Sequence, residues 1–181
     1  MKIAEKSSNA EDLLILVQIR LFGDTSAFGA LVRKYQSPLR RYLYNLTSGN
    51  GSLADDLSQE TFIKAFTSIK GFKGIGSFRG WLFRIAYCQF IDTHRTFRYD
   101  ADIAEINIAY KNVGQKLEVL SQTLAVLSEV ERNLIILNCI EECSHSEIAK
   151  ITALPLGTVK THLARAKEKL KIYLAKDGKD F

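Results

Sequence analysis

Apolar side chains recur every three or four residues along most of this chain, the spacing that places them on one face of an α-helix. The first run predicts a helix that begins at Ala10 or Glu11. Its expected apolar face is Leu13, Leu14, Val17 and Leu21. Further runs predict a second helical stretch over about 25–46, with a restart or kink at Ser37-Pro38, and a third helix beginning near Leu53.

The third and fourth helices flank a glycine-containing loop at 70–77, KGFKGIGS. Their spacing predicts two buried stripes. The stripe of the third helix is Leu57, Phe62, Phe66 and Ile69. The stripe of the fourth helix, from about Phe78, is Trp81, Leu82, Ile85, Ala86 and Ile91. The loop has neither the spacing of a P-loop nor that of a dinucleotide fingerprint, which argues against nucleotide hydrolysis.

The helical pattern loosens over about 99–116 and resumes near Leu117. Leu117, Leu120, Leu124 and Leu127 lead to Ser128, which with Glu131 fits a capping box for the next helix. We therefore predict an all-α fold of two small helical domains joined by a flexible linker. The predicted bounds are 1–98, 99–116 for the linker, and 117–181.

The last two helices predict a helix-turn-helix. Ser144 or Ser146 can cap the first, and Ser144 with Glu147 fits a capping box. Pro155 cannot continue that helix but suits the start of the next. The stripe of the second helix is Val159, Leu163, Ala166, Leu170 and Tyr173.

Charge changes this picture, because between Leu156 and Lys176 the second helix carries several Lys and Arg side chains and only Glu168 as an acid. Thr161, Ala164 and Arg165 point away from its apolar stripe, and Lys160, His162 and Lys169 flank them. Small, hydrogen-bonding and cationic side chains suit base edges and phosphates. A basic face can also be only a solvated surface, but the turn and the scarcity of acids favour DNA contact.

Basic residues are also concentrated in the first half. The first 98 residues carry 14 basic and 8 acidic side chains, and the rest of the chain carries 11 and 12. In the fourth helix aromatic rings alternate with cations. These residues are Phe78, Arg79, Arg84, Tyr87, His94, Arg95 and Arg98. Such a mixture suits unpaired bases stacked on rings, and it equally suits an amphipathic helix that packs its aromatics, so both interpretations stay open.

Several other classes find no support in the sequence. No signal peptide or membrane-length apolar run is visible, so a cytoplasmic protein is expected. Cys139, Cys143 and His145 are close together, but no convincing fourth zinc ligand follows, and buried thiols are the preferred interpretation. His94, His145 and His162 have no neighbouring nucleophile and acid, so no catalytic residue, metal or cofactor is expected.

The C-terminal segment SEIAKITALPLGTVKTHLARAKEKL resembles the promoter-reading helix-turn-helix of bacterial sigma factors of the extracytoplasmic-function (ECF) class. Response-regulator output domains share a similar pattern, so this half alone leaves both families open. The segments DDLSQETFIKAF and FRGWLFRIAYCQFID resemble the N-terminal domain of the same sigma factors. Response regulators lack this first half. The resemblance therefore implies a transcription initiation factor that binds core RNA polymerase and promoter DNA, both duplex and melted.

The resemblance also implies roles for particular positions. Those expected to bind the polymerase clamp helices are Asp55, Asp56, Leu57, Gln59, Glu60, Phe62 and Lys64. Those expected to melt and capture the −10 element are Lys70, Lys73, Ser77, Phe78, Arg79, Trp81, Arg84, Tyr87, Cys88, His94 and Arg95. Those expected to read the −35 element are Thr158, Lys160, Thr161, His162, Ala164, Arg165 and Lys169. Cys88 stands where family members usually carry Asn, and an anti-sigma factor is a further implied partner.

Two other functions fit the same fold. An adaptor or anti-factor decoy would keep the fold without initiating transcription. A stand-alone repressor would bind palindromic duplex as a dimer, but the sequence offers no obvious dimer helix. Compared with these two alternatives, an initiation factor fits both halves of the sequence. It needs no catalytic group because polymerase supplies the chemistry.

Overall fold

The computed structural model describes residues 2–72, 76–100 and 123–177. Most of the predicted linker, 101–116, and Lys73 lie outside this range. The helices are α1 (Lys2–Phe22), α2 (Phe28–Leu46), α3 (Gly51–Ser68), α4 (Phe78–Asp100), α5 (Glu129–Ile135), α6 (His145–Thr152) and α7 (Leu156–Asp177). Short 3₁₀ turns lie at Thr25–Ala27 and Ile69–Gly71, and a π turn at Ile136–Ile140 extends α5. The described residues contain no β-strand, and the predicted all-α, two-domain fold is confirmed.

The first domain packs α1, α3 and α4 around α2, whose apolar face is buried along its length. Leu31, Leu39 and Leu43 of α2 are fully buried. The expected restart at Ser37-Pro38 does not occur, because α2 continues through Pro38 as one helix. Two local caps begin neighbouring elements: Asp24 accepts hydrogen bonds from the backbone N–H groups of Ser26 and Ala27, and Asn50 accepts one from Leu53.

Helix α1 differs from the prediction in both its start and its buried face. It begins at Lys2 rather than at Ala10 or Glu11. Leu16 and Ile19 are buried, whereas the expected face is exposed, with Leu14 at 67% and Leu21 at 72%. Apolar residues on both sides of the helix allow either orientation. The buried carboxylate of Asp12 fixes this one, since it accepts hydrogen bonds of 2.5 Å from both Lys34 Nζ and the Tyr35 hydroxyl.

The predicted stripe of α3 is also rotated. Leu57 and Ile69 are buried as expected, but Phe66 is 38% exposed, and Ser58 and Thr61 occupy the buried face. The Thr61 hydroxyl lies 2.7 Å from Gln89 Oε1 of α4, a buried polar contact that sequence spacing does not reveal. In α4, the expected Leu82 and Ala86 are buried, and the ring of Phe83 is buried beside them.

The second domain follows its local signals closely. Ser128 and Glu131 form a capping box at the start of α5, and Ser144 and Glu147 form another at the start of α6. Val159, Leu163 and Ala166 of α7 are buried, as their spacing predicts. Helix α7 packs against α5 and α6, so its opposite face is directed to solvent.

Candidate nucleic-acid interface

A tight turn connects α6 to α7 and sets the direction of the longer helix. Ala153 ends α6 in the left-handed region at φ 58°, a conformation common at helix C-termini. The Pro155 carbonyl accepts a 3.0 Å hydrogen bond from the N–H of Val159. Because Val159 and Leu163 are buried against the rest of the domain, the turn leaves the opposite face of α7 available as a recognition helix.

Most residues predicted to read the −35 element lie on this open face. Lys160, Thr161, Ala164 and Arg165 are exposed, and Thr158 is half-buried. Lys169 is exposed but forms a 2.7 Å ion pair with Glu131 of α5. The half-buried His162 keeps Nδ1 away from solvent and without a hydrogen-bond partner among the described residues. The most accessible part of the predicted surface is therefore centred on Thr161 and Arg165.

Aromatic packing buries one residue of the predicted −10 surface. Phe78 is only 2% exposed, and its ring packs against those of Tyr35, Phe72 and Trp81 at centroid distances of 5.5, 6.1 and 5.7 Å. In this arrangement the ring of Phe78 therefore forms part of the core, and its contact with DNA stays a prediction. Trp81 and Tyr87 are half-buried, so each keeps a partly accessible ring.

The other predicted −10 residues lie at or beside the α4 surface. Lys70, Arg84, Cys88 and Arg95 are exposed, whereas Ser77, Arg79 and His94 are half-buried. The Ser77 hydroxyl accepts a hydrogen bond from the N–H of Gly80, and the ring of His94 packs 4.3 Å from that of Phe90. The structure thus gathers cations and two partly accessible rings on one helix, as the sequence predicts.

The residues predicted to bind polymerase lie beside a groove between α2 and α3. Asp55 is joined to Arg40 by two hydrogen bonds of 2.5 and 3.1 Å, and the Arg40 guanidinium lowers the pKa of the Asp55 carboxyl. Gln59 and the half-buried Phe62 line the groove. Asp56, Glu60 and Lys64 are exposed on the same helix. Leu57 is 2% exposed and supports the core in this arrangement, and its contact with polymerase stays a prediction.

The two domains contact each other through a charged cluster that the sequence did not indicate. The Glu141 carboxylate, at the end of the π turn, is fully buried and accepts two hydrogen bonds from Arg41 of α2, at 2.9 and 3.0 Å. Arg79 of α4 donates to the same carboxylate at 2.8 Å and to the Glu141 carbonyl at 2.9 Å. Glu141 and Arg41 are 100 residues apart, so no local pattern could have paired them.

The contact also places α6 against α4. The Arg84 guanidinium donates a 2.6 Å hydrogen bond to the Lys150 carbonyl of α6. Two clefts lie between these helices, one lined by Trp81 and Arg84 together with Lys150, the other by Tyr87 and Cys88 together with Thr152. We call this packing of α4 against α6 the closed arrangement. In it, the predicted −10 surface faces the helix-turn-helix, while the predicted −35 surface remains exposed to solvent.

An exposed recognition helix in one domain and a helix of cations and rings in the other define a two-domain, DNA-binding helical protein. Comparison with known proteins identifies the family within this class. The family model "Sigma-70 region 2" matches residues 31–98, and "Sigma-70, region 4" matches residues 117–170. The "ECF RNA polymerase sigma factor SigW" of Bacillus subtilis is 31% identical over 168 residues, covering 82% of this chain and 89% of the relative.

Solved structures agree with this comparison. CnrH, in a complex with the cytosolic domain of CnrY, is 26% identical with a TM-score of 0.73, covering 91% of this chain and 97% of CnrH. The sigma factor RpoE of Bartonella quintana, in a complex with the anti-sigma factor NepR, shares the fold at a TM-score of 0.70 and 24% identity, covering 82% of this chain and 96% of RpoE. The chain belongs to the ECF RNA polymerase sigma factors, which direct RNA polymerase to promoters.

Within 2–72, 76–100 and 123–177, the His, Cys, Asp and Glu side chains form no group that could hold a metal ion. In the same part of the chain, no helix combines the length and the apolar character required of a membrane span. Burial raises the pKa of the Cys143 thiol to about 11, which disfavours the thiolate that metals bind.

Proposed function

We propose that this sigma factor divides its work among three surfaces. The open face of α7 reads duplex DNA at the −35 element, α4 with the loop before it holds the melted −10 element, and the α2–α3 groove docks on core polymerase. The domain bounds proposed for this division are 1–98, 99–116 and 117–181. The exposure of Thr161 and Arg165 on a helix whose other face is buried is the observation that carries the proposal.

The −35 surface would act through a helix laid in the major groove. Arg165 presents a guanidinium that can bind phosphate or a guanine edge, and the Thr161 hydroxyl already bonds the Gly157 carbonyl at 3.0 Å, which orients it. Lys160 adds a second cation near the start of the helix. Lys169 contributes less, since its ammonium is paired with Glu131.

The −10 surface would act on separated strands. Unpaired bases stack on accessible aromatic rings, and cations hold the phosphates between them. Trp81 and Tyr87 supply the rings, and Arg79, Arg84 and Arg95 supply the cations. Stacking of a captured base would offset an unpairing cost of a few kcal/mol. Cys88 is exposed beside Tyr87, so the side chain at this position is a weak thiol donor.

The chain itself would perform no bond-making chemistry, because polymerase supplies the active site. A protein with this role works in the cytoplasm, where polymerase and promoters are found. An anti-sigma factor is a further proposed partner, supported by the anti-sigma complex of the structurally similar RpoE. The α2–α3 groove is a suitable target for such an inhibitor, since covering it would prevent docking on polymerase.

Reconstitution tests the proposal. The purified chain should bind core polymerase and give run-off transcripts from promoters selected by the holoenzyme from random DNA. Combined Gln59→Ala and Phe62→Ala changes should weaken core binding about tenfold or more, whereas Thr67→Ala, on the same helix beyond the groove, should leave core binding unchanged. Core binding without any transcript would instead indicate a decoy, and dimeric binding to palindromic duplex without polymerase would indicate a repressor.

A further inference from the structure

Glu131 is an acid buried at the start of α5, in the domain that carries the recognition helix. Its side chain is 6% exposed, and its Oε2 accepts hydrogen bonds of 3.0 Å from both the N–H and the hydroxyl of Ser128. The Ser128 hydroxyl in turn accepts one from the N–H of Glu131. The carboxylate is therefore part of the capping box of α5, and moving it breaks that cap.

The first turn of α5 is itself anchored to the chain before it. Arg132 Nε donates a 3.2 Å hydrogen bond to the carbonyl of Leu124, whose side chain is buried. Leu134 and Ile135, one turn beyond Glu131, are buried in the core. The backbone on both sides of Glu131 is thus held in place, which makes its carboxylate a fixed point in the domain.

Lys169 of α7 is bonded to this fixed carboxylate. Its Nζ lies 2.7 Å from Glu131 Oε2, which makes a charge-assisted hydrogen bond. This hydrogen bond lowers the pKa of the Glu131 carboxyl against the opposing effect of burial, so the acid is ionised at neutral pH. Because a buried carboxylate is costly without such a donor, the pair favours one placement of α7 on α5.

The ion pair lies one helical turn from the centre of the proposed −35 surface. Arg165 and Lys169 are four residues apart on the same side of α7, and Thr161 lies one turn before Arg165. Hydrophobic contacts of the buried stripe hold α7 to the domain but are non-directional, whereas a hydrogen-bonded ion pair favours one rotation of the helix about its axis. The direction in which Thr161 and Arg165 point therefore depends on Lys169.

We propose that Glu131 and Lys169 are positioning residues: their ion pair sets the rotation of α7 that presents Thr161 and Arg165 to duplex DNA, and Lys169 itself does not contact the duplex. The inference rests on the proposed function of α7. It changes the role of Lys169, which the sequence predicts to read the −35 element. It also gives a role in promoter recognition to a buried acid, a group that DNA phosphates repel.

The sign of the effect distinguishes positioning from simple electrostatics. Removing an acid from a DNA-binding domain leaves the domain more positive, which by itself raises its affinity for any duplex. Glu131→Gln keeps the capping box, because Gln also serves at this position, but it replaces the charge-assisted bond to Lys169 by a weaker one. Loss of position should then lower promoter affinity although the change in charge favours binding.

Binding of the holoenzyme to two duplexes tests the proposal. One is the promoter that the holoenzyme selects from random DNA, and the other has the same bases in scrambled order. Fluorescence anisotropy should show that Glu131→Gln weakens promoter binding about fivefold and leaves binding to the scrambled duplex equal or stronger. Glu168→Gln, the matched control, removes an exposed acid from α7 and leaves the pair intact, so it should keep or raise affinity for both duplexes.

Variants of Lys169 separate positioning from a phosphate contact. Lys169→Gln keeps the capping box and should weaken promoter binding about fivefold, with the slope of log affinity against log salt unchanged. Lys169→Arg can still pair with Glu131 and should bind the promoter as wild type does. Promoter binding that Lys169→Gln leaves unchanged, or a slope that it lowers by about 1, overturns the proposal even if Glu131→Gln fails to fold.

Failure of this inference and failure of the proposed function give different results. Arg165→Ala, which tests the recognition face itself, should weaken promoter binding in the same assay. If it does not, another part of the protein reads the duplex, and the proposed function of α7 is wrong. If it does while Glu131→Gln keeps or gains promoter affinity, the proposed function stands and the positioning role is overturned.

Discussion

The hydroxyl of Tyr42 in the first domain donates a 2.8 Å hydrogen bond to Oδ1 of Asn133 in the second. Both side chains are buried, and the Tyr42 ring stacks on Phe83 with centroids 4.9 Å apart. Beside the charged contacts of Glu141, this bond is a neutral contact at the centre of the closed arrangement. The Tyr42 hydroxyl therefore contributes directly to the stability of the contact between the two domains.

Replacing Tyr42 by Phe should destabilise the protein by about 1 kcal/mol, because Asn133 loses a buried hydrogen bond while the stacked ring remains. Burial raises the pKa of Tyr42 well above its usual value near 10. The stability contributed by the neutral phenol is complete below about pH 10 and is lost as the pH rises beyond it. Urea unfolding between pH 8 and 11 should show this loss in wild type and a shallower loss in Tyr42→Phe. Tyr44→Phe, on the same helix, should follow wild type, and an identical slope in Tyr42→Phe would contradict the assignment.

Cys143 should be the slowest of the three thiols to react. Cys88 and Cys139 are exposed, whereas Cys143 is buried and its pKa is raised to about 11 from the usual 9.0. At pH 8 this pKa alone reduces the thiolate fraction about a hundredfold, and burial slows attack further. Alkylation by iodoacetamide followed by peptide mass spectrometry measures the three rates. Comparable rates at Cys143 and Cys139 would show that Cys143 is accessible in solution.

The features that the sequence predicted best are those that depend only on residues close together in the chain. The Ser144–Glu147 capping box and the Val159–Leu163–Ala166 stripe both depend on spacings of three or four residues, and both occur as expected. Helix α1 was placed with the wrong face inward because apolar residues lie on both of its sides. Its orientation depends on Asp12 meeting Tyr35, a contact 23 residues away that spacing cannot reveal.

The same distinction between local spacing and distant contacts applies to the candidate surfaces. The exposed face of α7 could be read from helical geometry, since its buried stripe defines the opposite side. Phe78 and Leu57 are predicted to contact DNA and polymerase, and both are buried in this structure, Phe78 in a ring cluster and Leu57 in the α3 core. Glu141 could not be identified from the sequence, since an acid after an apolar helix is ordinarily a solvated helix end. Its burial depends on two arginines from the other domain.

Loss of the α6 cap should weaken the helix-turn-helix without touching its DNA-facing side. The Ser144 hydroxyl accepts a hydrogen bond from the N–H of Glu147, whose carboxylate accepts one of 2.9 Å from the N–H of Ser144. Ser144→Ala should therefore cost about 1 kcal/mol in urea unfolding. Ser146→Ala, at the second residue of α6, should lower the free energy of unfolding clearly less. Equal losses in the two variants would argue that the capping box adds little to stability.

Arg165→Ala should weaken binding to the upstream promoter element because Arg165 presents its charge on the open face of α7. The loss expected for a phosphate or base contact is about 1–3 kcal/mol. If the contact is to phosphate, the slope of log affinity against log salt should also decrease by about 1. Fluorescence anisotropy with duplex DNA carrying the selected promoter, in the holoenzyme and at several salt concentrations, measures both quantities.

The matched control for this experiment is Lys171→Ala, which removes the same charge from the exposed, C-terminal part of α7. A general electrostatic attraction would lower affinity to a similar extent in both variants, because each removes one positive charge from the same helix. A recognition face centred on Thr161 and Arg165 requires a much larger loss for Arg165→Ala. Equal losses, or unchanged binding by Arg165→Ala at every salt concentration, would show that another part of the protein reads the duplex.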